Sequence, residues 1–330
     1  MRLRFGLRLL AAALTSLVCS LPVAAQSGTL LVSIIGEKKV VMMDAATGKV
    51  LAEIPVEAQP HEITLSRDGS LAYVAPGGPN DSVAVLDLKA RKVRAVFPTC
   101  ARLHDTRISR DGKVLWAACG GAKAVAELDA LTGRKLRTYD VKLDGGWFVE
   151  VAADEKKLYV PHLDGKGFSV TNRASGETRI IYEGSTLLGV TASPDGREVW
   201  ASDADAAELK VLDTKSDQIV ATVSLPRPIG RDGKPAAAFA RVKFAPDGRI
   251  VLVVRDQLFL VVDANSRTIR WSIDMPHPGK VPAVSADGRY AFVSHPSHDA
   301  VSVIDLVAQK LAAKFTTGKQ PDGVAWVGAR

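Results

Sequence analysis

An Asx residue closing a Val-rich segment recurs seven times in this chain, at Asp44, Asp87, Asp129, Asn172, Asp213, Asp263 and Asp305. Successive copies are 43, 42, 43, 41, 50 and 42 residues apart. A repeat of this length running through the chain restricts it to solenoids, propellers and similar arrays, in which each unit buries its apolar face against the next. A second marker keeps step with the first. It is an Asp-led turn at Asp68-Gly69, Asp111-Gly112, Asp154-Glu155, Asp195-Gly196, Asp247-Gly248 and Asp287-Gly288.

Each copy holds four short apolar segments divided by turn residues. In the second copy these are roughly His61–Leu65, Leu71–Ala75, Ser82–Asp87 and Val93–Phe97. The segments are strand-length and Val- and Ala-rich, and the breaks carry hairpin chemistry. No stretch shows a 3.6-residue apolar period. Four strands in about 42 residues is one propeller blade, so the reading is all-β: a seven-bladed propeller of four-stranded blades. The first copy, starting at Thr29, lacks an innermost strand, while Gln320–Trp326 matches the innermost segment Gln59–Leu65. The C-terminal strand is therefore predicted to complete the first blade, leaving no open sheet edge between blades.

With strands lettered A to D from the axis outward, the D–A and B–C loops share one face and the Asp-Gly hairpins occupy the other. All six histidines sort to the D–A/B–C side: His61, His104 and His277 at D–A loops, His162, His295 and His298 at B–C loops. Aligning the innermost strands on their hairpin Asp gives a ring of Asp322, His61, His104, Trp147, Leu188, Ala240 and Lys280. The next position reads Gly323, Glu62, Asp105, Phe148, Gly189, Arg241 and Val281. A polar arc thus faces an apolar one, which is how small-ligand sites are commonly lined. The candidate binding residues are His61, Glu62, His104, Asp105, Trp147, His162, Arg241, Lys280, His295 and Asp322. His61 and His104, with carboxylates beside them, are also the candidate metal ligands, since imidazole and carboxylate suit borderline metals. Alternatively, the arc and Lys280 would hold an anionic or conjugated ligand against Trp147 and Phe148. The plainer role of a loop histidine is a hydrogen bond to nearby backbone, and His277 and His298 are assigned to it.

Cys100 enters the third blade and Cys119 ends its second strand, so both thiols reach one edge. A disulfide between them is the first reading and a metal-binding or redox pair the second. An insertion at 226–239 lengthens the D–A loop of the sixth blade and is a candidate lid, with Arg227, Arg231 and Lys234 as anion contacts. The repeated Asx residues are expected to cap turns.

Residues 1–25 read as a cleaved export signal. Arg2, Arg4 and Arg8 precede the apolar run Leu9–Val18, and Val23-Ala24-Ala25 supplies the small residues of a cleavage site. The run is short for a bilayer span, so no membrane anchor is expected. The remainder, 26–330, is read as a single propeller domain. Losing three arginines and no acid takes the formal charge from +7 to +4. No basic stripe accompanies it, so no nucleic-acid partner is expected. Two cysteines outside the cytoplasm favour a disulfide.

The segments Ala291-Phe292-Val293-Ser294, Ala300-Val301-Ser302-Val303-Ile304-Asp305 and Ser193-Pro194-Asp195-Gly196-Arg197 resemble the repeat of bacterial YVTN (YncE-like) propellers. The resemblance runs the length of the chain beyond the export signal. It implies a propeller of the kind found with quinoprotein or haem d1 systems, with a metal ion or a haem- or quinone-type group as candidate cofactor. The export signal places the expected protein in the periplasm or outside the cell (periplasmic or secreted), as a monomer. Catalytic signatures such as G-x-S-x-G, a P-loop or a dinucleotide fingerprint are missing. The expected function is binding of a small ligand, metal or cofactor, or docking of a periplasmic protein, at the D–A/B–C face. The alternatives are a periplasmic redox enzyme or lactonase using the same residues, and a purely structural interaction module.

Overall fold

The computed structural model describes residues 28–77, 81–227, 237 and 239–328. Among them lie 28 strands, from β1 (Gly28–Ile34) to β28 (Pro321–Gly328), and two short 3-10 turns. The strands form seven antiparallel sheets of four. Six blades are consecutive in sequence and the first is assembled from both chain ends, in the order β28-β1-β2-β3. Thr29 to Val32 pair with Val327 to Val324. The export signal and most of the 226–239 insertion, with Arg231 and Lys234, lie outside the described residues.

The core is not one cluster but seven, one in each seam between neighbouring blades. Strand alternation produces this directly, because successive side chains leave a sheet on opposite faces. In β9 (Val114–Cys119), Leu115, Ala117 and Cys119 pack towards the second blade, while Trp116 and Ala118 pack towards the fourth. A middle strand covered on both faces must be apolar at every position, which explains the unbroken Val/Ala runs.

The seven Asx residues serve the turns. In each blade the side-chain oxygen accepts backbone N–H groups of the following C–D turn, as in Asp87 from Ala90 (2.7 Å) and Asp305 from Ala308 (2.8 Å). The Asp-Gly hairpins place Gly69, Gly112, Gly196, Gly248 and Gly288 at φ between 66° and 74°, a conformation other residues adopt at a cost.

Cys100 and Cys119 are joined by a disulfide, with a Cα–Cα separation of 5.7 Å. The bridge ties the loop entering the third blade to the end of that blade's second strand. It closes a loop of 19 residues, which stabilises by about 3 kcal/mol through restriction of the unfolded chain. The double variant C100S/C119S should lower the unfolding free energy by that amount in denaturant titrations. Reducing the native protein should reproduce the loss, and an unchanged midpoint would contradict it.

Candidate functional site

The two rings aligned from sequence separate cleanly in space. A cavity of about 650 Å³ occupies the axis, and it is lined by Glu62, Asp105, Phe148, Gly189, Arg241 and Val281 of the second ring. No member of the first ring lines it. It runs towards the opposite face, where Arg67, Arg110, Glu155 and Pro194 of the A–B hairpins border it. The first ring therefore stands at one end of the cavity, and the space for a ligand lies behind it, within the channel.

Strict alternation would send two consecutive residues to opposite sides of a strand. Here the innermost strands carry a β-bulge where the rings fall: between Pro60 and Ile63, Leu103 and Asp105, Leu187 and Val190, and opposite Val32 and Ile34 in β28. One extra residue breaks the alternation, and bulges re-aim side chains in this way. His61 and Glu62 can thus both serve the axis, one at each level.

The polar part of the first ring is a continuous chain of contacts across five blades. Lys280 Nζ donates to Asp322 at 2.7 Å, and His61 Nδ1 lies 2.6 Å from the same carboxylate. The His61 and His104 rings are 5.1 Å apart, and His104 meets the edge of Trp147 at 5.3 Å. The Arg102 guanidinium then lies 4.5 Å over the Trp147 ring. Two glycines make room. A Cβ on Gly77 would sit 2.0 Å from His61 Nε2, and one on Gly323 would sit 2.0 Å from the His61 carbonyl oxygen.

Electrostatics differ between the two levels. Burial alone would raise the Asp322 carboxyl, but the His61 hydrogen bond and the Lys280 ammonium outweigh it and hold the carboxyl well below the usual range. Burial, with Arg241 nearby, drives His104 well below the ordinary imidazole value. Glu62 is 8% exposed and has no counter-ion at contact distance among the described residues. Burial and the Asp322 charge push it up to about 7, against the attraction of Arg241. Burial also raises Asp105, opposed by Arg107, which contacts both its oxygens at 2.6 and 2.8 Å. The Arg241 guanidinium lies 4.3 Å over the Phe148 ring.

Eight of the ten sequence-predicted residues are brought to this end of the channel. His162 and His295 are not. Each ends a second strand, is fully buried, and spans from a loop carbonyl to a third-strand serine. His162 Nε2 is 2.8 Å from Ser169 Oγ and Nδ1 3.3 Å from the Asp144 carbonyl. His295 repeats the arrangement with Ser302 (2.7 Å) and Pro278 (3.0 Å). They stitch their blades, and burial lowers both, His162 to about 4. His277 and His298 stack on each other at 3.6 Å, away from the ring. Among the described residues no three His, Cys, Asp or Glu side chains form a set that could hold a metal ion.

A third ring, two residues beyond the second, was missed from sequence: Ala325, Thr64, Arg107, Glu150, Thr191, Lys243 and Ala283, all lining the cavity. The signal was present, since a strand returns to the same face after two residues. Arg107, Glu150 and Lys243 follow from it.

No protein-family model matches the chain. The uncharacterized protein YncE of Salmonella typhi and of Salmonella typhimurium is 25% identical over 167 residues, 48% of this chain and 44% of that protein. The chain thus covers less than half the length of that relative. Among solved structures, hydrazine synthase of Kuenenia stuttgartiensis superposes with a TM-score of 0.74 at 21% identity, over 86% of this chain and 93% of that one. This chain is similar to the YncE-like β-propellers. The dihydro-heme d1 dehydrogenase NirN, solved in complex with DHE, shares the fold at a TM-score of 0.62 and 19% identity, over 90% of this chain and 74% of that one. At these identities the solved structures speak for the fold of this propeller alone. Its function has to be argued from the site.

Proposed function

We propose that this chain is an exported binding propeller that holds a small molecule in its central channel, at the end formed by Glu62, Asp105, Phe148 and Arg241. One observation carries this reading. Glu62 Oε1 and Arg241 Nε are buried at the cavity end with no hydrogen-bond partner, and His104 Nδ1 and Trp147 Nε1 in the adjoining ring have none either. Buried polar atoms are almost always satisfied, and each orphan costs about 1–3 kcal/mol, so a cluster of them is a site awaiting a partner. Phe148 and Val281 supply apolar wall beside them, the mixture typical of small-ligand sites.

Export is supported by the Cys100–Cys119 disulfide, a bond that persists in oxidising compartments, and by the leader-like composition of residues 1–25. No helix of the described residues is long and apolar enough to cross a membrane.

The test is native mass spectrometry, with an absorption spectrum and metal analysis, on protein purified from a periplasmic fraction. The expected result is a bound small species in the native protein and its loss from E62A/R241A, on a chain that begins near Gln26. A bare native protein whose melting temperature responds to no member of a metabolite panel would overturn the reading.

A further inference from the structure

The charges within the channel do not cancel, and the surplus names a ligand class. On one side the third-ring residue Arg107 is bound to Asp105 and lies 3.4 Å from Glu150 Oε2, so these three side chains satisfy one another. Lys280 and His61 satisfy Asp322 at the ring above. Across the lumen stands β20 (Arg241–Phe244), the innermost strand of the sixth blade. Its Val242 and Phe244 are buried in the seam with the fifth blade, so alternation turns Arg241 and Lys243 to the channel, and both line the cavity. Neither side chain makes a hydrogen bond or an ion pair among the described residues, and Arg241 Nε is buried without a partner.

Lys243 is exposed where it lines the lumen. Burial, with Arg107 opposite, lowers its ammonium from the ordinary value. Two cations on one strand, two residues apart, therefore face a 650 Å³ space in which Glu62, an acid without a counter-ion at contact distance, tends to keep its proton up to near neutral pH. A protonated carboxyl there is a hydrogen-bond donor. An Arg fork, an ammonium and a carboxylic acid converging on one space are three donors with no matching acceptor.

We propose that the channel is an anion site: Arg241 and Lys243 grip the carboxylate or phosphate oxygens of a small ligand, and Glu62 completes the cradle. The assignment rests on the channel being the binding site, and it adds the sign of the ligand's charge and the residues that read it. Phe148, with Arg241 stacked over it, holds the guanidinium in place for the first contact.

Calorimetric titration of the full chain with citrate, inorganic phosphate, putrescine and glucose tests it. Saturable binding of citrate or phosphate at millimolar concentration or below is expected, and citrate against phosphate separates the two oxyanion chemistries. R241Q and K243Q should each weaken that binding by about tenfold or more. R134Q, an exposed arginine on the outer rim, should leave it unchanged. Saturable binding of putrescine or glucose that R241Q and K243Q leave intact would overturn the anion assignment while keeping a ligand-binding channel. Anion binding unaffected by either variant would mark it as surface association and overturn it as well. Binding of no probe at all would do the same for these anion classes, and the mass-spectrometric experiment would then decide separately whether the channel holds anything.

Discussion

A chain ending at Gln320 should fail to fold cooperatively. Removing β28 deletes one strand of 28, yet that strand serves two seams and one charge cluster. Val324 packs in the seam with the seventh blade, and Ala325 and Val327 in the seam with the second. Its ladder with β1 would be lost, leaving a central strand with open N–H and C=O groups along one edge. Asp322 would leave with it, stranding His61 and Lys280 without their shared carboxylate. Three buried side chains at roughly 1–3 kcal/mol each and about six ladder bonds at roughly 1 kcal/mol each total on the order of 10 kcal/mol. That is comparable to the whole stability of an ordinary domain. The expected observations are binding of a hydrophobic dye, loss of near-UV dichroism and no sigmoidal melt. The variant D322N keeps the strand and should retain a cooperative transition at reduced midpoint. A truncated chain that melts cooperatively near the native temperature would show that the ring does not depend on this closure.

Glu62→Gln should stabilise the protein at alkaline pH and leave it unchanged in acid. The carboxyl is raised from 4.5 to about 7 by burial and by Asp322 and Asp105, with Arg241 and Lys280 pulling the other way. Below pH 4.5 both folded and unfolded states carry the proton, and the carboxylic acid costs little. Between 4.5 and about 7 the unfolded chain releases its proton while the folded chain keeps it, so stability falls as pH rises. Above 7 the folded protein bears a buried carboxylate, at a penalty of roughly 3 kcal/mol. The glutamine variant has the same shape and no charge. Its advantage in urea titration should therefore be near zero at pH 4, grow through neutrality and level off by pH 8. An advantage independent of pH would mean that packing, rather than ionisation, governs this position. A bound anion would enlarge the stability of the native protein through linkage, so the comparison is made in ligand-free buffer.

The ring, its sevenfold division and its closure were legible because they depend on local chemistry. Asp-Gly hairpins, Asx-capped turns and Val-rich strands each act within a few residues, and their repetition fixes the count of blades. The two ring alignments were legible for the same reason, since counting back from a hairpin Asp gives a height along the axis. Height does not specify direction. His61 and His162 look alike in sequence, each beside a loop on the same face, yet a bulged innermost strand holds His61 on the axis while a regular second strand turns His162 inward to Ser169. Gln320–Trp326 announced an innermost strand by its match to Gln59–Leu65.

Charge pairing was hidden for a different reason. Arg107 and Lys243 sit at equivalent positions in the third and sixth blades, and that shared position does not say which of them is paired. Arg107 has Asp105 on its own strand and Glu150 on the next blade, whereas Lys243 follows Arg241 and has no acid at either place. The sequence by itself determined a closed seven-bladed ring and the heights at which its side chains meet the axis, because turns and alternation are local. Only the tertiary structure decided which of those side chains satisfy one another and which are left facing the channel, because Coulomb and hydrogen-bond partners there come from blades far apart in the chain.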